Sequence, residues 1–144
     1  MSTITVGNAS ESLVLAAYIR EGFPVSIPFG SGSAYDLIVD TGARLLKIQV
    51  KTGWQYKGCL QFNARRRIKD SRSNGTRRYK KDEIDFFAVY FPLNDSIYVI
   101  PREMVAGEGF LRLAPVLNGQ QKFIKWAADY TWEKHLQALR QEVG

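Results

Sequence analysis

The sequence predicts an α/β (α+β) fold in which helices flank a β-sheet. Three observations lead to this prediction. Apolar residues recur at helical spacing near the N-terminus, and two short apolar runs, residues 35–40 and 45–52, then follow on either side of a glycine-containing turn. A further strand-forming stretch, residues 84–91, comes later, and two helical stretches close the chain.

The first helix is predicted to begin at Asn8, after a loose start or short strand over residues 1–7. Asn8 serves as the N-cap in this prediction, and Glu11 reaches back to it from the third helical position. The helix ends at about Glu21, with Gly22 in the C-terminal capping position. The stripe predicted to face the sheet is apolar and consists of Val14, Leu15, Tyr18 and Ile19.

The strands of the predicted sheet begin with residues 24–28. Residues 30–33, Gly-Ser-Gly-Ser, form either a simple turn or a loop whose amides approach a phosphate. Residues 35–40 and 45–52 form an antiparallel hairpin. Strand side chains alternate between faces, so one face of the second strand carries Leu46, Ile48 and Val50, and the other carries Lys47, Gln49 and Lys51.

The middle of the chain is predicted to alternate strands with loops. A turn is expected over residues 54–58 and a strand over residues 59–63. Residues 65–81 show no apolar periodicity, so we expect a long surface loop or extended arm that a ligand orders. Strands over residues 84–91 and 96–100 then follow, joined by a turn that Pro92 opens.

Helices are predicted for the C-terminal part. A short helix over residues 101–105 would be entered at its proline, and longer helices are expected over about 120–129 and 131–142. The first long helix would carry Phe123, Trp126 and Tyr130 on one face, and the second Trp132, Leu136 and Leu139. These faces indicate core packing or an interface between subunits.

Length and composition bound the class of protein. The 144 residues predict a single domain over 1–144, and the 45% apolar share is that of an ordinary globular protein. The longest apolar run, residues 86–91, is far shorter than the roughly 20 residues of a membrane-spanning helix. No Lys or Arg precedes Arg20, so a signal peptide is not expected.

The single cysteine and the single histidine exclude two kinds of site. Cys59 has no partner for an internal disulfide, which suits a reducing, intracellular compartment and predicts a cytoplasmic protein. His135 is the only histidine, so a His-rich zinc site is excluded, and it is predicted to be a surface residue on the last helix.

Positive charge is concentrated in one segment. Residues 65–81 carry nine basic residues and one acidic residue, a net charge of +8, whereas the rest of the chain carries 11 basic and 13 acidic residues. Such a local concentration predicts a polyanion as partner. The nine candidate contacts are Arg65, Arg66, Arg67, Lys69, Arg72, Arg77, Arg78, Lys80 and Lys81.

The hairpin carries the residues on which a functional prediction depends. Asp36 is followed, after twelve residues, by Gln49-Val50-Lys51 on the returning strand. A solvated strand face explains this pattern as well as a site does. The spacing also resembles the PD-(D/E)xK nuclease core, and the phrase KIQVKT resembles the branch of group I intron-encoded homing endonucleases. Two residues depart from the motif: Tyr35 stands in the place of its proline, and Gln49 in that of its second acid.

This resemblance implies a mixed central sheet and a metal-dependent active site. It places Glu11, Asp36, Gln49 and Lys51 as catalytic residues. The expected metal is Mg²⁺, with Mn²⁺ as a substitute, and its implied ligands are the Glu11 and Asp36 carboxylates, the Gln49 amide oxygen and the Val50 carbonyl. Lys51 would orient or deprotonate the attacking water. Glu11 also remains a candidate capping residue.

The implied activity is hydrolysis of phosphodiesters in double-stranded DNA by a homing endonuclease. Because cutting both strands requires two active sites, a homo-oligomer, either a dimer or a tetramer, is expected. Two alternatives remain at this point. The Gly-Ser-Gly-Ser loop also resembles that of the archaeal Holliday junction resolvases, and the uncharged Gln49 is compatible with a non-catalytic nucleic-acid-binding module on a decayed nuclease fold.

Overall fold

The computed structural model describes residues 1–30, 32–68, 75–105, 107–113 and 124–144. It contains two α-helices, α1 (Thr3–Arg20) and α2 (Trp132–Val143). The strands, numbered in chain order, are β1 (Val25–Ser26), β2 (Leu37–Asp40), β3 (Leu45–Thr52), β4 (Trp54–Tyr56), β5 (Cys59–Phe62), β6 (Arg65–Arg67), β7 (Thr76–Arg78), β8 (Phe86–Phe91), β9 (Ser96–Pro101) and β10 (Gly109–Arg112).

Helix α1 begins earlier than the sequence predicted. The N-cap is Ser2, whose side chain accepts a hydrogen bond from the Thr5 amide at 3.2 Å. The prediction of Asn8 as N-cap and of a loose start over residues 1–7 is therefore wrong, because this earlier cap starts the helix before Asn8. The predicted end is confirmed: Glu21 is the C-cap, and Gly22 follows with a φ of +94°, a conformation that glycine adopts without strain.

The central sheet has five strands in the order β1-β2-β3-β8-β9. Its β3–β8 pair is parallel and the other pairs are antiparallel, so the predicted mixed sheet is confirmed. The β2–β3 hairpin is also confirmed, and Asp40 pairs with Leu45 next to the turn. The predicted alternation along β3 holds as well, because the side chains of Leu46 and Ile48 are fully buried while Lys47, Gln49 and Lys51 remain half-buried.

A second, three-stranded sheet has the order β10-β5-β4. The sequence predicted only its middle strand. Trp54–Tyr56 was expected to be part of a turn, but the turn is confined to Lys57 and Gly58, which both have positive φ. Strand β10 places Gly109 directly over Phe62, where an added Cβ would lie within 2.4 Å of the ring. Only glycine allows this close approach.

The basic stretch, predicted to be a long surface loop or an extended arm, contains paired strands in its described part. Strands β6 and β7 pair as an antiparallel ribbon, with Arg65 opposite Arg78 and Arg67 opposite Thr76. We call these two strands the basic ribbon. Backbone pairing, which does not require apolar periodicity, explains why the pattern of side chains gave no sign of it. Residues 69–74 of this stretch lie outside the described residues.

Of the helices predicted for the C-terminal part, one is confirmed and two are wrong in their described residues. Helix α2 is confirmed, with Thr131 as its N-cap. The helix predicted over about 120–129 is wrong for its described part, where Ala127–Asp129 forms a single 3₁₀ turn and Trp126 makes an isolated bridge to Arg112. Residues 120–123 lie outside the described residues. The short helix expected over 101–105 is a 3₁₀ turn, Arg102–Met104.

Two hydrophobic clusters lie on opposite faces of the central sheet. On one face, α1 and α2 contribute Val14, Tyr18 and Leu139 to a cluster with β2 and β3. On the other, the small sheet contributes Leu60 and Leu111 to a cluster that includes β8 and β9. The two faces of β8 therefore both pack against apolar side chains. No helix among the described residues is long and apolar enough to span a membrane.

His135 is buried, contrary to the prediction of a surface residue. Its Nε2 lies 2.8 Å from the Tyr18 hydroxyl, and its ring packs edge-on against Phe86. The side chain faces α1 rather than solvent because it shares the buried face of α2 with Leu136 and Leu139. Burial lowers the pKa of His135 to about 4 and raises the pKa of Tyr18.

The buried histidine predicts a loss of stability in mild acid. The pKa of His135 is about 4 in the folded chain, whereas an unperturbed histidine has a pKa of 6.5. Between these two pH values the unfolded chain therefore binds one proton more than the folded chain. Stability is therefore fully present above pH 6.5 and falls as the pH drops to 4. The free energy of unfolding should decrease by about 3 kcal/mol across this window.

Urea unfolding at a series of pH values, for the wild type and for His135→Gln, measures this effect. The raised pKa values of acidic residues elsewhere act on both proteins and cancel in the difference. The wild type should lose more stability than the variant between pH 6.5 and 4. Parallel curves for the two proteins would contradict the assignment.

Candidate active site

Asp36 is positioned by backbone and side chain together. It lies immediately before β2, and its amide donates to the Ile48 carbonyl at 2.8 Å, which continues the β2–β3 ladder by one residue. Its Oδ2 accepts a hydrogen bond from the Val50 amide at 2.9 Å. Burial raises the pKa of Asp36, and this effect exceeds the opposite effects of the Val50 amide and the Lys51 charge.

Glu11 approaches the site from α1. The preceding residue, Ser10, is buried, and its hydroxyl lies 2.5 Å from the Thr52 hydroxyl at the end of β3. This bond ties the helix to the strand beside Lys51. The pKa of Glu11 is raised by burial and by the negative charge of Asp36, so the two carboxylates interact electrostatically. The structure thus brings the helical acid to the hairpin acid.

Lys51 is the cation of this group. Burial lowers its pKa, whereas the negative charge of Asp36 opposes that effect. Its Nζ lies 3.5 Å from the Arg65 carbonyl oxygen and 5.4 Å from the centroid of the Tyr79 ring. The ammonium is therefore held between the Asp36 carboxylate and the base of the basic ribbon.

Gln49 lies two residues before Lys51 on the same face of β3. Its side chain is half-buried, and Nε2 donates to the Val50 carbonyl at 3.4 Å. A rotation of the terminal amide by half a turn would exchange Nε2 for Oε1 at almost the same position. That exchange would direct two oxygens, from the Gln49 amide and the Val50 carbonyl, to one point.

The donor set fits a hard divalent cation. Two carboxylates, an amide oxygen and a backbone carbonyl are ligands that Mg²⁺ accepts. The described residues contain no cluster of three or more His, Cys, Asp or Glu side chains, so Glu11 and Asp36 would be the only anionic ligands. A cation would also relieve the unfavourable burial of these two carboxylates, whose pKa values are both raised.

Glu83 fixes the basic ribbon to the domain. Its carboxylate pairs with Arg66, accepts two hydrogen bonds from Arg77 at 2.6 and 2.8 Å, and accepts a third from the Lys80 amide at 2.7 Å. The hydrogen bond from Arg77 is the main reason that the pKa of Glu83 falls to about 2. Arg66 also donates to the Gly32 carbonyl at 2.7 Å, so the ribbon contacts the loop before Asp36.

The predicted DNA contacts therefore divide into two groups. Arg66 and Arg77 neutralise Glu83, and Arg65 donates across the ribbon to Thr76 at 2.8 Å. The exposed members of the predicted set are Arg67, Arg78, Lys80 and Lys81. Lys69 and Arg72 lie outside the described residues. Whether each of these side chains contacts DNA stays a prediction.

Two residues of the site were missed by the sequence analysis. Tyr79, a buried aromatic beside Lys51, lies within the basic stretch, where a single aromatic residue among charged ones was the available signal. Glu83 follows the stretch by two residues, and an acid so close to a block of like charges could have indicated an ion pair. Neither residue has a motif that would have distinguished it.

The fold and the grouped residues define a nuclease. A family model described as PD-(D/E)XK endonuclease matches residues 1–133, and the chain belongs to that family. Among solved structures, the chain is similar to a bacterial homing endonuclease, I-Ssp6803I, with a TM-score of 0.77 and 25% identity over 99% of this chain and 97% of that one. Comparison with curated protein sequences finds no match. The family and the fold class predicted from the hairpin are thereby confirmed.

The role of Glu83 predicts a variant in which the basic ribbon is loosened. Glu83→Gln removes the charge that holds Arg66 and Arg77 but keeps the size of the side chain. Trypsin should then cleave within β6 and β7 severalfold faster than in the wild type, because the two paired strands must separate before their peptide bonds can be cut. Mass spectrometry of timed digests would locate and quantify the cuts.

Asp82→Asn is the matched control for this experiment, because Asp82 is the adjacent acid and its described hydrogen bond goes through its backbone carbonyl, which accepts from Lys47 of β3 at 2.7 Å. This variant should be cut at the wild-type rate. Equal rates for Glu83→Gln and the wild type would remove Glu83 from this role.

Proposed function

We propose that the chain is a Mg²⁺-dependent, site-specific endonuclease that hydrolyses phosphodiesters in double-stranded DNA, and that it is an intron-encoded homing endonuclease. Mn²⁺ is a substitute metal. The observation that carries the proposal is the hydrogen bond from the Val50 amide to Asp36, which joins the hairpin acid to the strand of Gln49 and Lys51. Membership of the endonuclease family and the likeness to a bacterial homing endonuclease support it.

Asp36 and Glu11 are the proposed anionic ligands of the metal, with the Gln49 amide oxygen and the Val50 carbonyl completing the protein's donor set. When bound, Mg²⁺ lowers the pKa of a coordinated water and offsets charge on the phosphate. Gln49 contributes no charge where the family motif has an acid, so the protein binds the metal more weakly. The substrate's own phosphate oxygens are therefore expected to contribute more to metal affinity.

Lys51 is the proposed catalytic cation. Its ammonium donates hydrogen bonds, orients the attacking water towards phosphorus and stabilises negative charge that develops in the transition state. The lowered pKa of Lys51 supports a second use, because burial favours the neutral amine, and that form can accept a proton from the water.

Exposed cations of the basic ribbon are the proposed contacts to DNA phosphates, and a two-stranded ribbon is narrow enough to enter a major groove. Within this proposal the chain acts as one domain in a homo-oligomer, a dimer or tetramer, so that two active sites cut the two strands. An intracellular, reducing location accompanies the proposed function.

Lys51→Ala tests the proposed function. The variant should lose cleavage while it keeps the fold and most of its DNA affinity, because the lysine acts on the reacting water and phosphate. Cleavage is measured with Mg²⁺ on a plasmid library and, in parallel, on a synthetic four-way junction. Preference for the junction would favour a resolvase, and a wild type that binds DNA without cutting under any metal would indicate a decayed nuclease.

Gln49 predicts an unusual dependence on metal concentration. Gln49→Ala should cleave much more slowly than the wild type at limiting Mg²⁺, and excess Mg²⁺ should partly restore the rate, because one weak ligand has been lost. Gln49→Glu should keep activity or tighten metal binding. The measurement is the cleavage rate of each protein across a Mg²⁺ titration.

The same Mg²⁺ titration can also show that Gln49 is not a metal ligand. A surface residue outside the site would change stability by no more than about 0.5 kcal/mol and would leave catalysis unaltered. If the curve of Gln49→Ala overlies that of the wild type, Gln49 is not a metal ligand.

A further inference from the structure

We propose that Tyr79 is a positioning residue for Lys51, through which the base of the basic ribbon sets the place of the catalytic ammonium. The inference rests on the proposed function, because it gives Lys51 the catalytic role described above. It adds a residue outside the four that the sequence motif supplies. It also gives the ribbon a second task beside binding DNA.

Two groups at the base of the ribbon hold the ammonium. The Tyr79 ring centroid lies 5.4 Å from the Lys51 Nζ, within the range of a cation–π interaction. The Arg65 carbonyl oxygen lies 3.5 Å from the same atom. Arg65 begins β6 and Tyr79 directly follows β7, so the two contacts come from the two chain ends at the base of the ribbon.

Tyr79 is itself fixed by the core. The residue is only 7% exposed, and its ring packs edge-on against Phe87 with centroids 5.3 Å apart. Its carbonyl oxygen accepts a hydrogen bond from Arg102 at 3.4 Å. A ring held from behind in this way can restrict a flexible lysine side chain, which otherwise has about 2 kcal/mol of rotamer entropy to lose.

The charge of the site makes such a restraint necessary. Asp36 attracts the Lys51 ammonium, and a lysine paired directly with that carboxylate would occupy a position meant for the metal or the phosphate. The ring and the Arg65 carbonyl also attract the ammonium and compete with that direct pairing. Burial and the charge of Asp36 raise the pKa of Tyr79 to about 12, so the ring stays neutral in this position.

The aromatic ring, rather than the hydroxyl, is the group that acts on Lys51. Tyr79→Phe keeps the ring and should therefore behave as the wild type. Tyr79→Leu keeps an apolar side chain but removes the π face. In single-turnover cleavage at saturating enzyme, the rate of Tyr79→Leu should fall roughly tenfold or more, while its DNA dissociation constant stays within about threefold of the wild type.

A matched control separates this effect from a general loss of core packing. Tyr98 is a second buried tyrosine of the same hydrophobic cluster, 8% exposed and located on β9. Tyr98→Leu removes an aromatic ring of equal size from a strand that β8 separates from β3. It should lower the melting temperature and leave the single-turnover rate near the wild-type value.

NMR of the metal-free protein gives a readout that does not depend on activity. The ε-methylene protons of Lys51, identified by their loss in Lys51→Ala, should show two separate resonances and cross-peaks to the Tyr79 ring. In Tyr79→Phe these features should persist, and in Tyr79→Leu the two resonances should merge as the side chain becomes mobile. The wild-type cross-peaks test the contact even if Tyr79→Leu does not fold.

The experiments test the role of Tyr79 and the proposed nuclease function independently of each other. Absence of the wild-type cross-peaks, a wild-type cleavage rate for Tyr79→Leu, or an equal loss in Tyr79→Phe or Tyr98→Leu would overturn the role of Tyr79. Wild-type cleavage by Lys51→Ala would instead overturn the proposed function, while the NMR contact between Lys51 and Tyr79 would remain. A slow Tyr79→Leu with rescue in Tyr79→Phe and the cross-peaks would support the inference.

Discussion

The hydrogen bond between the Val50 amide and the Asp36 carboxylate is the constraint on which the rest of the site depends. It fixes the acid at the start of β2 and orients the peptide that joins Gln49 to Val50. The Val50 side chain is buried, so β3 has one permitted orientation, with Gln49 and Lys51 on the opposite face. A register shift of one residue would exchange the two faces of β3. Gln49 and Lys51 would then no longer lie beside Glu11 and Asp36. The parallel pairing of β3 with β8 prevents that shift, because β8 packs against apolar side chains on both of its faces.

Contacts outside the site stabilise the arrangement of Glu11, Asp36 and Lys51. Burial disfavours the charged forms of Glu11, Asp36 and Lys51 alike, as the directions of their pKa shifts show. The hydroxyl contact between Ser10 and Thr52 and the packing of α1 on β3 hold the three groups together in spite of this cost. Functional sites commonly concentrate such unfavourable burial, which a ligand then relieves. A divalent cation and a phosphate would supply the compensating charges here.

The fold could be predicted from the sequence where the local signals were strong. Alternation along β3, the Thr41–Arg44 turn and Gly22 at the end of α1 each specify an element without help from distant residues. Strands β4, β6, β7 and β10 were missed because their pairing depends on partners rather than on their own patterns. The candidate residues Asp36 and Lys51 came from a motif, whereas their neighbours Glu83 and Tyr79 contact the site only through tertiary packing. A buried His135 was equally invisible, since the face of α2 that it shares is decided by α1.

Net charge alone therefore gave an incomplete description of the basic stretch. Arg66 and Arg77 share one carboxylate, that of Glu83, so this group of three keeps a net charge of +1, and Arg65 donates across the ribbon to Thr76. These three arginines therefore help to hold the ribbon in place as well as adding positive charge. The Arg65 carbonyl and the Tyr79 ring, at the base of the same ribbon, contact Lys51. The attachment of the ribbon therefore also affects the position of the lysine. The basic segment is thus part of the active site, as the hairpin and α1 are.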